Sequence, residues 1–457
     1  MSSDSFNNRP LTLGVFANLG IAHITRAILV AAAVRRYLQL TYEIRSRVIF
    51  FARYGTRSFM EIEMLAQEHG IEIIDMERLC IKSRLRCSHS ALKSPRWIKA
   101  RVHQETQYLK KYDVDAVLSD SVPTITISVR KIEAETRKSL PHFALCNIVD
   151  FIDDKPLPTT EFKVFSLFNL SSIIPSFLIK LGYHGFDFLG SLSWSLVDHR
   201  FLGSYKKYVH GKFPLICDVH LSNEYHVPKT SQLIGPVVYS THFTKKWKEP
   251  EWLLELRTWA NEKSHVVRKV VFASFGTDSD RKLGMLIFKK LVTLLFQQED
   301  TEYRFIFTTK REEITSIQGV YAYPFIPFDF VTQLGAHYHF IHGGSGSFNH
   351  LALQGTMWIS ICMNYNQLQY AKLMHKHYGL DQYMIAQDFL GSPSVLLRLM
   401  GKYDKKQQQY RTAVKAYTEH AALYCYGKEA GEALRYSVME EKLLEWQEGS
   451  MLVGGFK

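Results

Sequence analysis

Two groups of residues in this 457-residue chain have the types and spacing to do chemistry. The first is His342-Gly343-Gly344-Ser345-Gly346-Ser347, which follows the apolar run Tyr338 to Ile341 and leads into Phe348, Leu351 and Ala352 at helical spacing. A strand that passes through glycines into a helix start builds an anion site. The glycines let the backbone approach closely, the free N–H groups of the first turn point outward, and the helix dipole favours negative charge. Ser345 and Ser347 add hydroxyl donors. A tight turn with glycines for packing alone is the competing explanation for any single glycine loop.

Two neighbouring loops favour the anion site. Ala273-Ser274-Phe275-Gly276-Thr277 follows the first strand of the same half, so Ser274, Gly276 and Thr277 are expected at the same crevice. Met363-Asn364-Tyr365-Asn366-Gln367 follows the run Trp358 to Cys362 and offers amides suited to sugar hydroxyls. One such amide loop would mean little; three polar loops at successive strand ends mean more.

The second group is Gly20-Ile21-Ala22-His23-Ile24-Thr25-Arg26, which puts a histidine at a helix start, and Asp120, which ends the run Ala116 to Leu118 and Ser119. A helix N-terminus disfavours an imidazolium, which suits His23 to accepting a proton. A carboxylate on the far ring nitrogen would fix the tautomer, the role of aspartate in hydrolase triads. A lone histidine at such a place is usually structural; the pairing with Asp120 is what argues for a catalytic pair.

These residues need strands that end at one sheet edge, and the surrounding pattern supplies them. Leu11 to Asn18, Val48 to Ala52, Ile71 to Ile74, Ala116 to Leu118 and His142 to Cys146 read as strands. They alternate with helical stretches at Ala22 to Arg36, Ser58 to His69 and Val129 to Lys138. Phe162 to Pro214 breaks this rhythm and reads as helices and loops. Val219 to Leu221 and the Ile234-Gly235-Pro236-Val237 turn close the N-terminal half, and Ser240 to Glu251 reads as a linker.

The second half repeats the design, with strands at Lys269 to Ala273, Arg304 to Thr308, Tyr338 to Ile341 and Trp358 to Cys362. Its helices are expected at Gly284 to Phe296, Phe348 to Gln354 and Gln367 to His377, followed by charged helical segments Ser394 to Ala422 and Lys428 to Gln447. The expected fold is α/β, two Rossmann-like domains facing across a cleft: residues 1–238 and 252–400, with helices of 401–457 packing back toward the N-terminal domain.

Composition narrows the class without choosing a ligand. The 46% hydrophobic content suits large cores, and the net charge of +12 attracts anions: sugar nucleotides, acidic lipids or nucleic acid. The basic pairs Lys206-Lys207, Lys245-Lys246 and Lys405-Lys406 form no continuous stripe, so nucleic acid is not expected as a partner. Cys80, Cys87, Cys146, Cys217, Cys362 and Cys425 include no C-x-x-C pair, which reads as reduced thiols in the cytoplasm. Met1 to Pro10 lacks a secretory signal's layout. Val164 to Ile179 is too short and polar to span a membrane; a buried helix and a peripheral membrane contact are its two readings.

The run from Phe325 to Ala371 resembles the donor-binding signature of the UDP-glycosyltransferase family, the GT-B group of plant, animal and macrolide enzymes. The family pattern is W-x-P-Q, then H-x-G-x-x-S-x-x-E, then D-Q. Phe325-Ile326-Pro327-Phe328, His342 to His350, and Asn366-Gln367 stand in those places. The resemblance implies that Phe325 stacks on the nucleotide base beside Pro327, that His342, Gly344 and Ser347 hold the diphosphate, and that Asn366 and Gln367 face the donor sugar. Three residues depart from the pattern: Phe328 for Gln, His350 for the ribose-binding Glu, and Asn366 for Asp.

The same family commonly carries Gly-His in the first loop, with an aspartate partner about one hundred residues later. Here the loop reads Ala22-His23 and the separation is 97. The resemblance therefore implies an inverting transfer from a UDP-sugar to a hydroxyl of a small, hydrophobic acceptor. His23 would be the base, with no cofactor and no metal, in a monomer or homodimer. Asp278-Ser279-Asp280 has the letters of a metal motif but is expected to cap the next helix. A sugar-nucleotide-binding protein without transferase activity is the alternative, for which the His350 and Asn366 departures speak.

Overall fold

In a computed structural model of the full chain, the residues described are 9–18, 21–53, 60–79, 94–151, 194–198, 211–219, 227–238, 249–276, 282–311, 314, 316–324, 326 and 328–438. The chain divides into two compact units. One comprises Met1–Asp154, Lys180–Val237 and Tyr424–Lys457; the other comprises Lys155–Ile179 and Val238–Leu423.

The first unit is built on a seven-stranded sheet of β1 (Leu11–Ala17), β2 (Ser46–Ala52), β3 (Glu72–Asp75), β4 (Ala116–Asp120), β5 (His142–Cys146), β6 (Phe213–Ile216) and β7 (Gln232–Leu233). Its order is β3-β2-β1-β4-β5-β6-β7, and every pairing is parallel. Nearly continuous apolar runs such as LTLGVFA and HFALC are what a parallel sheet covered on both faces requires. Between the strands run α1 (Ile21–Tyr42), α2 (Met60–Glu68), α3 (Pro95–Lys111) and α4 (Pro123–Thr136).

Helix α3 starts where Ser94 accepts from the Trp97 amide and Pro95 occupies the first turn, a position that needs no donor. It is locked to α4 through the fully buried Glu105, which accepts from Arg101 at 3.0 Å, Thr124 at 2.8 Å and Ser128 at 2.9 Å. A last helix, residues 426–438, belongs to this unit and lies on α1. Gly427 and Gly431, one turn apart on one face, permit that approach. A Cβ on Gly431 would stand 2.5 Å from the Tyr37 ring, and one on Gly427 would stand 2.9 Å from Ala33. Glu432 accepts from the Tyr37 hydroxyl at 2.7 Å and from Tyr42.

The second unit carries a six-stranded sheet of β8 (Val267–Ser274), β9 (Thr301–Thr308), β10 (Val320–Tyr323), β11 (Tyr338–Ile341), β12 (Ile359–Cys362) and β13 (Tyr383–Ile385). Its order is β10-β9-β8-β11-β12-β13, again parallel throughout. The helices are α5 (Glu251–Asn261), α6 (Lys282–Phe296), α7 (Ser345–Leu353), α8 (Tyr365–Tyr378), α9 (Ala386–Gly391), α10 (Ser394–Lys405) and α11 (Gln407–Ala421). Both units are Rossmann-like.

The structure corrects several element boundaries. The strand after the irregular middle lies at Phe213–Ile216, and Val219 stands outside any strand. Pro214 hides this strand in the sequence, because proline inside a sheet argues against one. The single helix expected over Ser394 to Ala422 is two, separated at Lys406. Strands β10 and β13, of four and three residues, are too short to show a period. Most of Val164 to Ile179, Phe162 to Pro214 and the linker falls outside the described residues, as do Lys206-Lys207 and Lys245-Lys246. Among the described residues no helix is long and apolar enough to cross a membrane. Cys146, Cys217, Cys362 and Cys425 are thiols outside any disulfide.

Candidate functional sites at the two sheet switch points

Each sheet reverses its strand order once near its middle: between β1 and β4 in the first unit, and between β8 and β11 in the second. At such a reversal the flanking loops leave in opposite directions and open a crevice at the strands' C-terminal ends. Both groups of residues singled out in the sequence stand there.

In the first unit β1 ends opposite the end of β4, with Ala17 in register with Asp120. Helix α1 follows, bringing His23 Nδ1 to 2.7 Å from Asp120 Oδ1. An ionised carboxylate can only accept, so Nδ1 carries a hydrogen, and in the neutral ring Nε2 then carries the lone pair. The His23 side chain is 35% exposed, while Asp120 is fully buried. Burial in itself raises the Asp120 carboxyl, but the Arg26 guanidinium and then the His23 ring hold it well below the usual carboxylate range.

The second partner is the feature that sequence reading missed. Arg26 donates from Nε to Asp120 Oδ2 at 2.7 Å and from Nη2 to Oδ1 at 2.8 Å. Its Nη1 donates to Asn147 Oδ1 at 2.8 Å, just beyond β5. The signal was present: Arg26 lies three residues after His23, on the same helix face. Beside this trio, Ser119 and His142 hydrogen-bond at 2.7 Å. Burial holds the His142 ring neutral, at about 3.

In the second unit the strand β11 ends at Ile341, in register with Ser274 of β8. Gly343 has φ +78, and Gly344 is the extended N-cap of α7, whose first turn holds no acidic residue. No side chain caps this helix start, so the ladder begins with the Phe348 amide on the Gly344 carbonyl at 3.0 Å. The amides of Ser345, Gly346 and Ser347 precede that bond, in the orphan positions of any helix start. Among the described residues nothing stands within 4 Å of where a Cβ on Gly346 would be.

The His342 ring lies against both glycine loops: a Cβ on Gly344 would stand 2.5 Å from Nε2, and one on Gly276 would stand 2.9 Å from Cε1. Ser274 is buried, and its hydroxyl accepts from Thr308 at 2.8 Å. Helix α7 is fixed from behind, where Asn349 Oδ1 accepts from Tyr370 at 3.1 Å and Tyr417 at 2.6 Å, and Thr418 donates to the Ala352 carbonyl at 2.9 Å.

The structure thus brings Ser274, Gly276, His342, Gly343, Gly344, Ser345, Gly346 and Ser347 to one pair of strand ends. Other expected residues stand differently. Gln367 is buried, and its Oε1 accepts from the Met363 and Asn364 amides at 2.7 and 3.2 Å. With Asn364 accepting from the Gln367 amide, it forms the capping box of α8. That amide-rich loop is therefore a helix start, from which Asn366 is exposed. His350 is 2% exposed on the inner face of α7, and burial lowers it to about 3. A neutral, buried ring there offers no charged acceptor to a ribose. Thr277, Phe325, Pro327 and Asp278-Ser279-Asp280 lie outside the described residues.

No protein-family model matches the sequence, and no curated protein matches it. Solved structures do match over nearly the whole chain. A UDP-glucosyltransferase from Polygonum tinctorium capable of glucosylating indoxyl, solved in complex with 3,4-dichloroaniline, is similar with a TM-score of 0.62 at 13% identity, over 95% of this chain and 100% of that one. The glycosyltransferase SnogD from Streptomyces nogalater gives 0.54 at 13% identity, over 94% and 100%. The spinosyn forosaminyltransferase SpnP gives 0.53 at 11%, over 94% and 100%. At such identities the likeness is one of fold, and the fold of this chain is that of the GT-B glycosyltransferases.

Proposed function

We propose that this protein is an inverting glycosyltransferase that moves a sugar from a nucleoside-diphosphate sugar, with UDP as the nucleotide, to a hydroxyl of a small hydrophobic acceptor. The observation that carries the reading is the 2.7 Å contact of His23 Nδ1 with Asp120, which leaves the Nε2 lone pair as a base. In the reaction Nε2 takes the acceptor's hydroxyl proton as that oxygen attacks the anomeric carbon. The bond from that carbon to the diphosphate oxygen breaks, its electron pair leaves with the nucleotide, and the configuration inverts. Asp120 stabilises the imidazolium so formed.

The leaving diphosphate is assigned to the start of α7. There the first-turn amides, the dipole, the hydroxyls of Ser345 and Ser347 and the His342 ring are set to receive growing negative charge. Phe325 and Pro327 are assigned to the base, and Asn366 and Gln367 to the sugar. The chemistry needs no metal and no cofactor.

The test is mass spectrometry of products after incubating several nucleotide sugars with pooled phenol, sterol and polyketide acceptors. A sugar-mass adduct made by the intact protein and not by His23→Ala supports the reading; no adduct from any donor argues against it. A second reading, a sugar-nucleotide-binding protein without transfer activity, is favoured by the neutral, buried His350. Nucleotide-sugar binding by calorimetry with no product from any acceptor would select it.

A further inference from the structure

Asp120 has two side-chain partners, and only one is needed to orient a base. Its carboxylate is fully buried at the end of β4, where loss of water favours the protonated form. His23 takes one oxygen. Arg26, one turn further along α1, takes both through a fork at 2.7 and 2.8 Å, and its remaining terminal nitrogen is held by Asn147. The Arg26 side chain is only 12% exposed. A paired fork in a dry setting is where arginine cancels a carboxylate's charge most completely.

Asp120 and His23 are coupled through their hydrogen bond, beside a guanidinium whose charge is fixed. With Arg26 cationic and Asp120 ionised, those two charges sum to zero. Take the guanidinium away, and a bare carboxylate is enclosed beside an imidazole. An uncompensated buried charge is costly, and uptake of one proton removes it. If the proton goes to the ring, Nε2 loses its lone pair; if it goes to Asp120, the carboxyl no longer fixes the Nδ1–H tautomer. Either outcome removes the base.

Next to this point Asn147 is an amide and the Asn18 backbone amide donates to the Asp120 carbonyl at 2.9 Å, while Ser119 and the neutral His142, which bond to each other, lie on the opposite face of the sheet. Among the described residues the charged groups acting on Asp120 are Arg26 and His23. We infer that Arg26 is a positioning residue that keeps the His23–Asp120 pair in its proton-accepting form at neutral pH by cancelling the carboxylate's charge. The kinetic consequence rests on the transferase reading, whereas the proton count does not.

The experiment pairs nitrogen NMR of the His23 ring with the pH profile of transfer, in wild type, Arg26→Gln and Arg26→Lys. The wild-type ring is expected as a single Nδ1–H tautomer near neutral pH. In Arg26→Gln the pair should hold one more proton there. Its kcat/KM should fall about tenfold or more near neutral pH and recover when the pH is raised by about two units. Arg26→Lys, which keeps the charge without the fork, should hold the wild-type proton count. A merely structural role would lower the rate alike at every pH.

An Arg26→Gln ring titration that overlays the wild type, or a loss that no pH restores, overturns the inference. Should Arg26→Gln not fold, Arg26→Lys decides: a wild-type ring state supports the charge role, and a protonated one overturns it. If the rings behave as expected but no protein transfers sugar, the transferase reading falls and the role of Arg26 stands.

Discussion

The His342 ring occupies the space that a side chain at Gly276 would need: a Cβ there would lie 2.9 Å from its Cε1. Two loops from adjacent strands, β8 and β11, are thereby tied together at the sheet's reversal point. With a Cβ on Gly344 only 2.5 Å from the same ring, the glycines first make room for the imidazole. Gly346, which meets nothing, is the position left to admit a ligand.

Gly346→Ala separates the two explanations of the glycine loop. Alanine favours a helix by up to about 1 kcal/mol over glycine, and among the described residues nothing obstructs it. The variant should melt at the same or a slightly higher temperature while losing about tenfold or more in UDP affinity, measured by calorimetry. Undiminished affinity would mean that the diphosphate does not sit against this turn.

His23→Ala should lower kcat by roughly 10²- to 10⁴-fold, the usual contribution of a general base. KM for the donor should stay near the wild-type value, because His23 and the loops proposed to bind the donor belong to different units. Steady-state kinetics against donor and acceptor would show the split, and an unchanged kcat would remove His23 from the chemistry.

Asp120→Asn leaves Arg26 buried without its carboxylate, a loss of about 3–5 kcal/mol for a broken buried pair. Because the folded carboxyl is depressed, its contribution is complete above the unfolded value of about 3.9 and is lost as pH falls through the lower folded value. The melting-temperature gap between wild type and variant should therefore be constant near neutral pH and narrow in strong acid. A gap that widens in acid would contradict the ion pair.

His142, His339 and His350 are all held low by burial, to about 3, 4 and 3. The unfolded chain binds protons at these rings from about pH 6.5 downward and the folded chain does not, so stability falls with pH across that window. Each ring adds up to about 1.4 kcal/mol per pH unit to the slope. In denaturant titrations between about pH 6 and 4, His142→Gln should flatten the slope by one proton's worth, whatever its absolute stability.

His350→Glu, which restores the residue type of the resembled motif, should not restore ribose binding. The position is 2% exposed, so an ionised carboxylate there lacks water and a cation. The expected outcome is a lower melting temperature with no gain in UDP affinity; a clear gain would show that α7 turns this position toward the ligand.

The sequence by itself determined the alternation of strands and helices, because apolar runs and helical periods are local, and β5 and β11 fall where the residues alone put them. It also put His23 at a helix start, Asp120 at a strand end and glycines at the opening of α7. Tertiary structure decided which polar groups remain for a ligand, since that depends on partners distant in the chain. The 94-residue reach from Arg26 to Asp120, the Thr308 bond to Ser274 and the burial of His350 leave no local pattern. Gln367 shows the limit from the other side: a capping box is written in adjacent residues, yet an amide drawn into one reads the same as an amide held out to a sugar until the helix around it has formed.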